Sequence, residues 1–224
     1  LAQAFDHMEQ NGRYPADAVV LTFDDGYLSV LKQALPVLTE RGFSATVFLV
    51  TSMMGMNEVQ ARAAHPDFSR DLLRWDQAET LVRSGFEIGS HTVSHPDLRS
   101  VPPTALEQEL AQSKTLLEQR LQPRVDKLAY PYGHFNAEVL ATASRHYRHA
   151  CTTRLGRCQQ QSDPLQLNRV DAYYLRQPQR FLKLLDGRLE SWLQFRQHLR
   201  DLKNLAGRAV PKRTMTKDAP KPEI

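Results

Sequence analysis

Short apolar runs alternate with longer amphipathic segments along most of this chain, and this alternation restricts the folds open to it. The runs at 18–23, 45–50 and 86–90 are the length of strands. Segments 28–40 and 103–121 instead carry apolar residues at roughly helical spacing. Strands that alternate with helices build a parallel sheet covered by helices. We therefore predict an α/β fold.

The rest of the chain continues this pattern. Further strands are predicted at 127–130, 149–153 and 167–172, and further helices at 75–84, 137–148, 181–185 and 189–205. Residues 51–70 have no clear period and are predicted to be a loop. A chain of 224 residues can bury one proper core. We expect one catalytic domain at 1–205 and a basic, disordered tail at 206–224.

Charge and composition exclude two classes of protein. The net charge is only +4, and no Lys/Arg stripe lies beside aromatic residues in the folded part, so we predict no nucleic-acid binding. No apolar run reaches eighteen residues, which is short of a membrane-spanning helix. The first residue is Leu1, so we expect a truncated N-terminus, and any membrane association would come through the missing segment. The sequence leaves open whether Cys151 and Cys158 pair.

Polar side chains follow three of the predicted strands. In parallel α/β folds, the edge formed by the carboxyl ends of the strands carries the chemistry. Three clusters at one edge are harder to explain as turns than any one of them. The clusters are Asp24-Asp25, His91 with His95, and Pro131-Tyr132-Gly133.

The first two clusters together predict a metal site. Successive side chains of a strand point to opposite faces, so one Asp can bind a metal while the other faces the bound water. His91 and His95 are four residues apart, a spacing that puts two imidazoles on one side of a helical turn. Two His and one carboxylate suit zinc, with iron, cobalt or nickel as alternatives. These residues predict a metal hydrolase with an Asp base, but they select no substrate.

The clusters, taken in order, resemble the motifs of the polysaccharide deacetylases, carbohydrate esterase family 4. The resemblance covers residues 18–172 and implies a distorted, incomplete (β/α) barrel. The matching stretches are Thr22-Phe23-Asp24-Asp25-Gly26-Tyr27, His91-Thr92-Val93-Ser94-His95 and Tyr130-Pro131-Tyr132-Gly133, supported by Gly85-Phe86-Glu87-Ile88-Gly89-Ser90.

This resemblance implies a role for each motif residue. Asp24 is the expected general base, and Asp25, His91 and His95 are the expected ligands of a divalent metal, usually zinc. The backbone N–H of Tyr132 is expected to hold the oxyanion. We expect substrate contacts from Tyr27, Pro131 and Tyr132. The implied substrates are N-acetylglucosamine polymers, such as chitin, peptidoglycan or exopolysaccharide, and the implied location is the bacterial cell envelope, with the cytoplasm not excluded.

Three departures from the family pattern matter. Ala129 stands where the third motif often has an Arg that orients the base, and we predict that Arg169 supplies this cation instead. The Leu-x-His motif that provides the general acid is absent, which leaves an upstream segment, His7 or His134 as candidates. The usual Asp-Trp pair of the fourth motif is also not evident. An O-acetyl carbohydrate esterase and a catalytically silent glycan-binding domain therefore stay open beside the deacetylase.

Overall fold

A computed structural model of the chain describes residues 1–15, 18–122 and 124–209. The strands are β1 (Thr22–Phe23), β2 (Thr46–Leu49), β3 (Glu87–Ser90), β4 (Lys127–Ala129), β5 (His149–Leu155) and β6 (Leu167–Arg169). The helices are α1 (Ala2–Asn11), α2 (Leu35–Glu40, preceded by a π-helical turn at Val30–Ala34), α3 (Glu58–Ala64), α4 (Trp75–Arg83), α5 (Pro103–Leu121), α6 (Ala137–His146), α7 (Pro178–Leu185) and α8 (Glu190–Ala209).

The six strands form one parallel sheet in sequence order, from β1 to β6. The sheet curls into a half-barrel with helices packed on its outside. The predicted α/β class and the incomplete (β/α) barrel are therefore confirmed. Because all six strands run the same way, their carboxyl ends meet at one edge.

The two faces of the sheet bury different residues. Outward side chains such as Val47, Leu49 and Leu128 pack with Leu110 and Leu117 of α5 in the main core. Inward side chains form a smaller cluster that includes a residue of α1, a helix the sequence did not predict. This inner cluster consists of Phe5, Phe48, Ala129, Cys151 and Leu167. Helix α1 therefore fills the interior of the half-barrel.

Two predictions about single elements are wrong. The predicted buried strand at 18–23 shortens to β1, and Val19 and Leu21 are exposed, because β1 is an edge strand. The predicted loop at 51–70 contains α3, whose first turn is closed by reciprocal hydrogen bonds between Asn57 and Gln60. Helix α3 buries little apolar surface, so its sequence has no apolar stripe from which a helix could be predicted.

Two further expectations fall partly inside the described residues. Helix α8 continues to Ala209, past the expected end of the domain at residue 205, and the rest of the expected tail, 210–224, lies outside the described residues. Within the described ranges, no helix combines the length and the apolar character needed to cross a bilayer. Cys151 and Cys158 are separate free thiols.

A side chain of the last strand reaches the first strand. Arg169, at the end of β6, donates from Nη1 to Thr22 Oγ1 over 3.1 Å and to Asp24 Oδ1 over 2.7 Å. The half-barrel is therefore closed at its carboxyl edge by side chains, where its two edge strands do not pair through their backbones.

Candidate metal centre

Asp25, His91 and His95 meet at the carboxyl edge of the sheet, just after β1 and β3. Asp25 Oδ1 lies 3.4 Å from His91 Nε2 and 3.7 Å from His95 Nε2. One ligand atom from each residue falls within 4.8 Å of the other two. The structure thus brings together the three residues that the sequence suggested as metal ligands.

The backbone at this edge is unusual. Five non-glycine residues in the described ranges have positive φ, and four of them belong to the predicted motifs: Asp25, Thr92, His95 and Tyr132. Such conformations cost on the order of 1–3 kcal/mol each and persist only where the surrounding structure enforces them. The expected helical turn at 91–95 is therefore wrong. The two imidazoles do meet, with ring centroids 4.8 Å apart, but through a turn with φ of 70° at Thr92 and 60° at His95.

The hydrogen bonding of His91 fits a metal ligand. Its Nδ1 lies 2.7 Å from the carbonyl oxygen of Ala129, so Nδ1 carries the hydrogen and donates it. Nε2 then presents a lone pair toward the Asp25 carboxylate, and two acceptors that face each other require a cation between them. A proton is one such cation: burial disfavours the imidazolium, but the hydrogen bond of its Nε2–H to Asp25 and the Asp24 charge outweigh that penalty and raise the pKa of His91. The pocket therefore favours positive charge.

His95 completes this set. Burial and the neighbouring His91 lower the pKa of His95 to about 4, so its ring is neutral near pH 7, which is the form that binds metals. Its buried Nδ1 has no hydrogen-bond partner among the described residues. Two imidazoles and a carboxylate are a donor set that zinc accepts, and the residues present therefore fit the metal implied by the resemblance.

Glu109 of α5 holds the turn between the two histidines. Its Oε2 accepts the backbone N–H groups of Val93 and Ser94 over 2.8 and 2.9 Å, and its Oε1 accepts the Ser94 hydroxyl over 2.6 Å. No sequence pattern predicts this residue, because it lies on a helix fifteen or sixteen residues away from the groups it holds.

Asp24 lies beside the metal set and is paired with a guanidinium. Arg169 Nη1 and Nη2 donate to Asp24 Oδ1 and Oδ2 over 2.7 and 2.8 Å, and Arg169 Nε donates to the carbonyl of Thr152. Burial alone would raise the pKa of Asp24, but Arg169 outweighs it and lowers that pKa below the usual value. Asp24 is thus held ionised and in a fixed orientation.

The turn at Pro131–Gly133 is held against β5. Tyr132 has φ of 61°, and the Thr153 hydroxyl donates to its carbonyl oxygen over 3.0 Å. A Cβ on Gly133 would lie 2.4 Å from the backbone nitrogen of Thr153, so only glycine fits there. Within the described ranges no acceptor meets the Tyr132 backbone N–H.

The remaining candidates lie at different distances from this edge. Tyr27 adjoins Asp25, and burial together with this carboxylate raises the pKa of its phenol to about 12. His134 is tied to Asp97 and Arg99, with its Nδ1 3.1 Å from Asp97 Oδ2 and 2.8 Å from Arg99 Nη2. His7 lies on α1 and makes no hydrogen bond or ring contact with the site among the described residues. The same helix stacks Phe5 on His149, the first residue of β5.

The segment around α3 contributes residues that the sequence analysis missed. His65 and Phe68 each place a ring 5.2 Å from the ring of His95. The Tyr132 phenol donates to Asp67 Oδ2 over 2.8 Å and lies 3.1 Å from His65 Nε2. The predicted loop at 51–70 therefore forms one wall of the site.

Comparison with known proteins shows the family to which the chain belongs. Residues 11–150 match the family model described as polysaccharide deacetylase. The chain belongs to the polysaccharide deacetylase family. Its fold is similar to that of a solved structure, the Streptococcus pyogenes deacetylase PplD in complex with acetate, at a TM-score of 0.64 and 27% identity, over 76% of this chain and 71% of that chain.

Two curated relatives of this deacetylase-family chain come from bacteria. YxkH of Bacillus subtilis (strain 168), whose name places it among polysaccharide deacetylases, is 28% identical over 164 residues, 73% of this chain and 54% of the relative. A chitooligosaccharide deacetylase of Bradyrhizobium sp. (strain ANU 289) is 29% identical over 130 residues, 57% of this chain and 52% of the relative. The chain thus spans about half the length of these relatives.

Proposed function

We propose that this chain is a metal-dependent deacetylase that removes N-acetyl groups from N-acetylglucosamine-type residues of a polysaccharide. The observation that carries the proposal is the meeting of Asp25, His91 and His95 within 4.8 Å at one edge of the sheet. Asp24, paired with Arg169, stands beside them. Each of these residues belongs to a stretch that resembles a motif of the family or was predicted to replace one.

The geometry supports a proposed role for each residue. A divalent cation would be held by Asp25, His91 and His95, and this set of donor atoms suits zinc. Such a cation would polarise the acetyl carbonyl as a Lewis acid and lower the pKa of a water molecule. Asp24 takes the proton of the attacking water. Arg169 keeps the Asp24 carboxylate ionised and aimed. The backbone N–H of Tyr132 donates to the oxygen on which negative charge develops.

The choice of substrate rests on relatives and on exposed rings near the site. The Bradyrhizobium relative is named for chitooligosaccharides, which are N-acetylglucosamine oligomers. Tyr132 is 37% exposed and could stack on a sugar ring. Pro131 precedes Tyr132 in the same motif, and Tyr27 ends the motif that contains Asp24 and Asp25. We place the substrate in the bacterial cell envelope.

Hydrolysis of O-acetyl esters is the second candidate. A departing amine needs a proton more than a departing alkoxide does. His134 is bound by Asp97 and Arg99, and His7 makes no contact with the site among the described residues, so neither expected acid stands free beside the metal set. This arrangement favours ester cleavage relative to amide cleavage.

The test measures bound metal and released acetate on the same sample, with N-acetylglucosamine oligomers and an activated acetyl ester as substrates. We expect about one zinc per chain, lost in His95→Ala and kept in Asp24→Asn, and acetate release that both substitutions abolish. His146→Ala is the matched control, because His146, at the end of helix α6, pairs with Glu107 of helix α5, away from the site. Acetate from the ester alone would favour the second candidate. A chain that binds no metal would exclude both and favour a silent glycan-binding domain.

A further inference from the structure

The phenol of Tyr132 is held by two residues from the α3 segment, which we define as residues 51–70. Its oxygen lies 2.8 Å from Asp67 Oδ2 and 3.1 Å from His65 Nε2. These two residues are 65 and 67 positions away in the chain, so the bonds join two separate walls of the site.

The three groups can satisfy one another at the same time. The backbone N–H of Asp67 donates to His65 Nδ1 over 3.4 Å, which assigns the ring hydrogen to Nε2. His65 Nε2 then donates to the phenol oxygen, and the phenol hydroxyl donates to Asp67 Oδ2. Every hydrogen in this cycle has an acceptor, so the phenol has one preferred position.

Tyr132 needs such restraint because of its backbone. Its φ of 61° is disfavoured for a residue with a Cβ, by roughly 1–2 kcal/mol. Thr153 holds the carbonyl oxygen of this residue from β5. Asp67 and His65 hold its other end, so the strained residue is fixed from two sides.

We propose that Asp67 and His65 are positioning residues that fix the strained Tyr132 turn and, through it, the backbone N–H that faces the reacting acetyl oxygen. The α3 segment is thereby part of the machinery of the site and sets how well that N–H is oriented. This inference rests on the proposed function for its effect on turnover, whereas its effect on the turn itself does not depend on catalysis.

The α3 segment also lies close enough to the site for this role. The rings of His65 and Tyr132 lie 5.2 and 4.9 Å from the ring of His95, in edge-on arrangements. Phe68, on the same segment, is fully buried and packs against the His95 ring as well. The segment is therefore anchored by an apolar side chain, and its two polar residues are free to act on Tyr132.

The experiment compares Tyr132→Phe, Asp67→Ala and Asp67→Asn with the wild-type chain. Tyr132→Phe keeps the ring and removes only the hydroxyl, and Asp67→Asn keeps an oxygen that can accept from the phenol. Tyr173→Phe is the matched control, because Tyr173 is 61% exposed and its phenol makes no hydrogen bond within the described residues.

Two readouts are taken. In Tyr132→Phe and Asp67→Ala we expect kcat to fall about five- to tenfold, as for one lost hydrogen bond, with KM within about twofold. Asp67→Asn should recover most of kcat, and the control should match the wild type. Amide hydrogen exchange should quicken at residues 130–134 in the first two variants, while the midpoint of thermal unfolding falls by no more than about 4 °C.

The two readouts separate this inference from the proposed function. If the wild-type chain releases no acetate from any substrate, the proposed function fails, and the exchange at 130–134 decides the positioning role alone. Unchanged exchange in both Tyr132→Phe and Asp67→Ala would overturn the inference. An active wild type whose kcat is unaffected by both substitutions would overturn it as well.

Discussion

At the scale of single residues, the pair formed by Asp24 and Arg169 sets the ionisation state of the proposed base. The Asp24 carboxylate is partly buried and would be protonated more easily if it stood alone. Two charge-assisted hydrogen bonds from one guanidinium reverse that tendency. We therefore propose that Arg169 replaces the Arg that the family often has at the position of Ala129.

Replacing Arg169 should shift the pH profile in a defined direction. Without the guanidinium the pKa of Asp24 rises, and a base acts only when deprotonated, so the acid limb of kcat/KM should move to higher pH in Arg169→Ala. We expect turnover at pH 7 to fall by about tenfold or more in Arg169→Ala. The turnover of Arg169→Lys should lie between that of Arg169→Ala and that of the wild type. Arg154→Ala is the control, because Arg154 is an exposed residue of β5. An acid limb that stays in place would refute the assigned role.

Gly133 offers a second residue-scale prediction, on stability. Gly133→Ala places a Cβ against the backbone of Thr153 at a positive φ, and we expect a loss of about 2–4 kcal/mol in the free energy of unfolding. Gly12→Ala is the control, because Gly12 has a similar φ of 67° but open space around it. In Gly12→Ala the free energy of unfolding should fall by only about 1 kcal/mol. Equal losses in urea unfolding would contradict the steric argument.

The sequence predicted some residues of the site and not others, for a physical reason. Asp25, His91 and His95 stand in short local patterns whose chemistry is legible without a structure. Glu109, His65 and Asp67 carry no local pattern, because the groups they bind are 15 to 67 residues away. Contacts of that range depend on the packing of α5 and of the α3 segment, which a single sequence does not reveal.

At the scale of elements, length and burial decided which predictions succeeded. Helix α5 was predicted with the observed bounds, because a proline opens it and four leucines mark its buried face. Strand β1 was overpredicted, since an apolar run signals burial whereas an edge strand leaves part of it exposed. Helix α1 was missed, although its Phe5 enters the half-barrel, because one buried residue makes no periodic pattern.

The contact between α1 and β5 predicts an acid-sensitive step in stability. His149 is stacked on Phe5, with ring centroids 3.5 Å apart, and burial lowers its pKa to about 4. In the unfolded chain the His149 imidazole has an ordinary pKa of about 6.5, so the unfolded state binds the proton first as the pH falls. The unfolded state therefore binds more protons between these values, and the free energy of unfolding should fall as pH falls from about 6.5 to about 4.

Substituting His149 should flatten this dependence. We expect urea unfolding of His149→Gln to vary less than the wild type between pH 7 and pH 4.5, despite a lower stability at pH 7. The exposed His198 on α8 serves for comparison, and His198→Gln should keep the wild-type slope. If His149→Gln and the wild type lose stability in parallel, His149 is not the titrating group.

At the scale of the whole molecule, metal binding should stabilise the fold if the proposed site is correct. A ligand that binds only the native state at a hundred times its Kd adds about 2.7 kcal/mol to the free energy of unfolding. For a chain of this size, zinc should raise the melting temperature by roughly 5–10 °C. A chelator should reverse the rise, and His95→Ala should show none. A rise of the same size in His95→Ala would place the zinc elsewhere.

The seam between the first and last strands has a consequence for how the chain is made. Asp24 and Arg169 are 145 residues apart, and every strand pairs with its neighbour in sequence. A ribosome therefore releases the three expected metal ligands well before it releases Arg169. The proposed base, Asp24, therefore gains its cation only when β6 emerges. On the proposed function, catalysis waits until the sheet is complete, because a chain terminated before β6 keeps the three expected metal ligands and lacks the residue that orients the base.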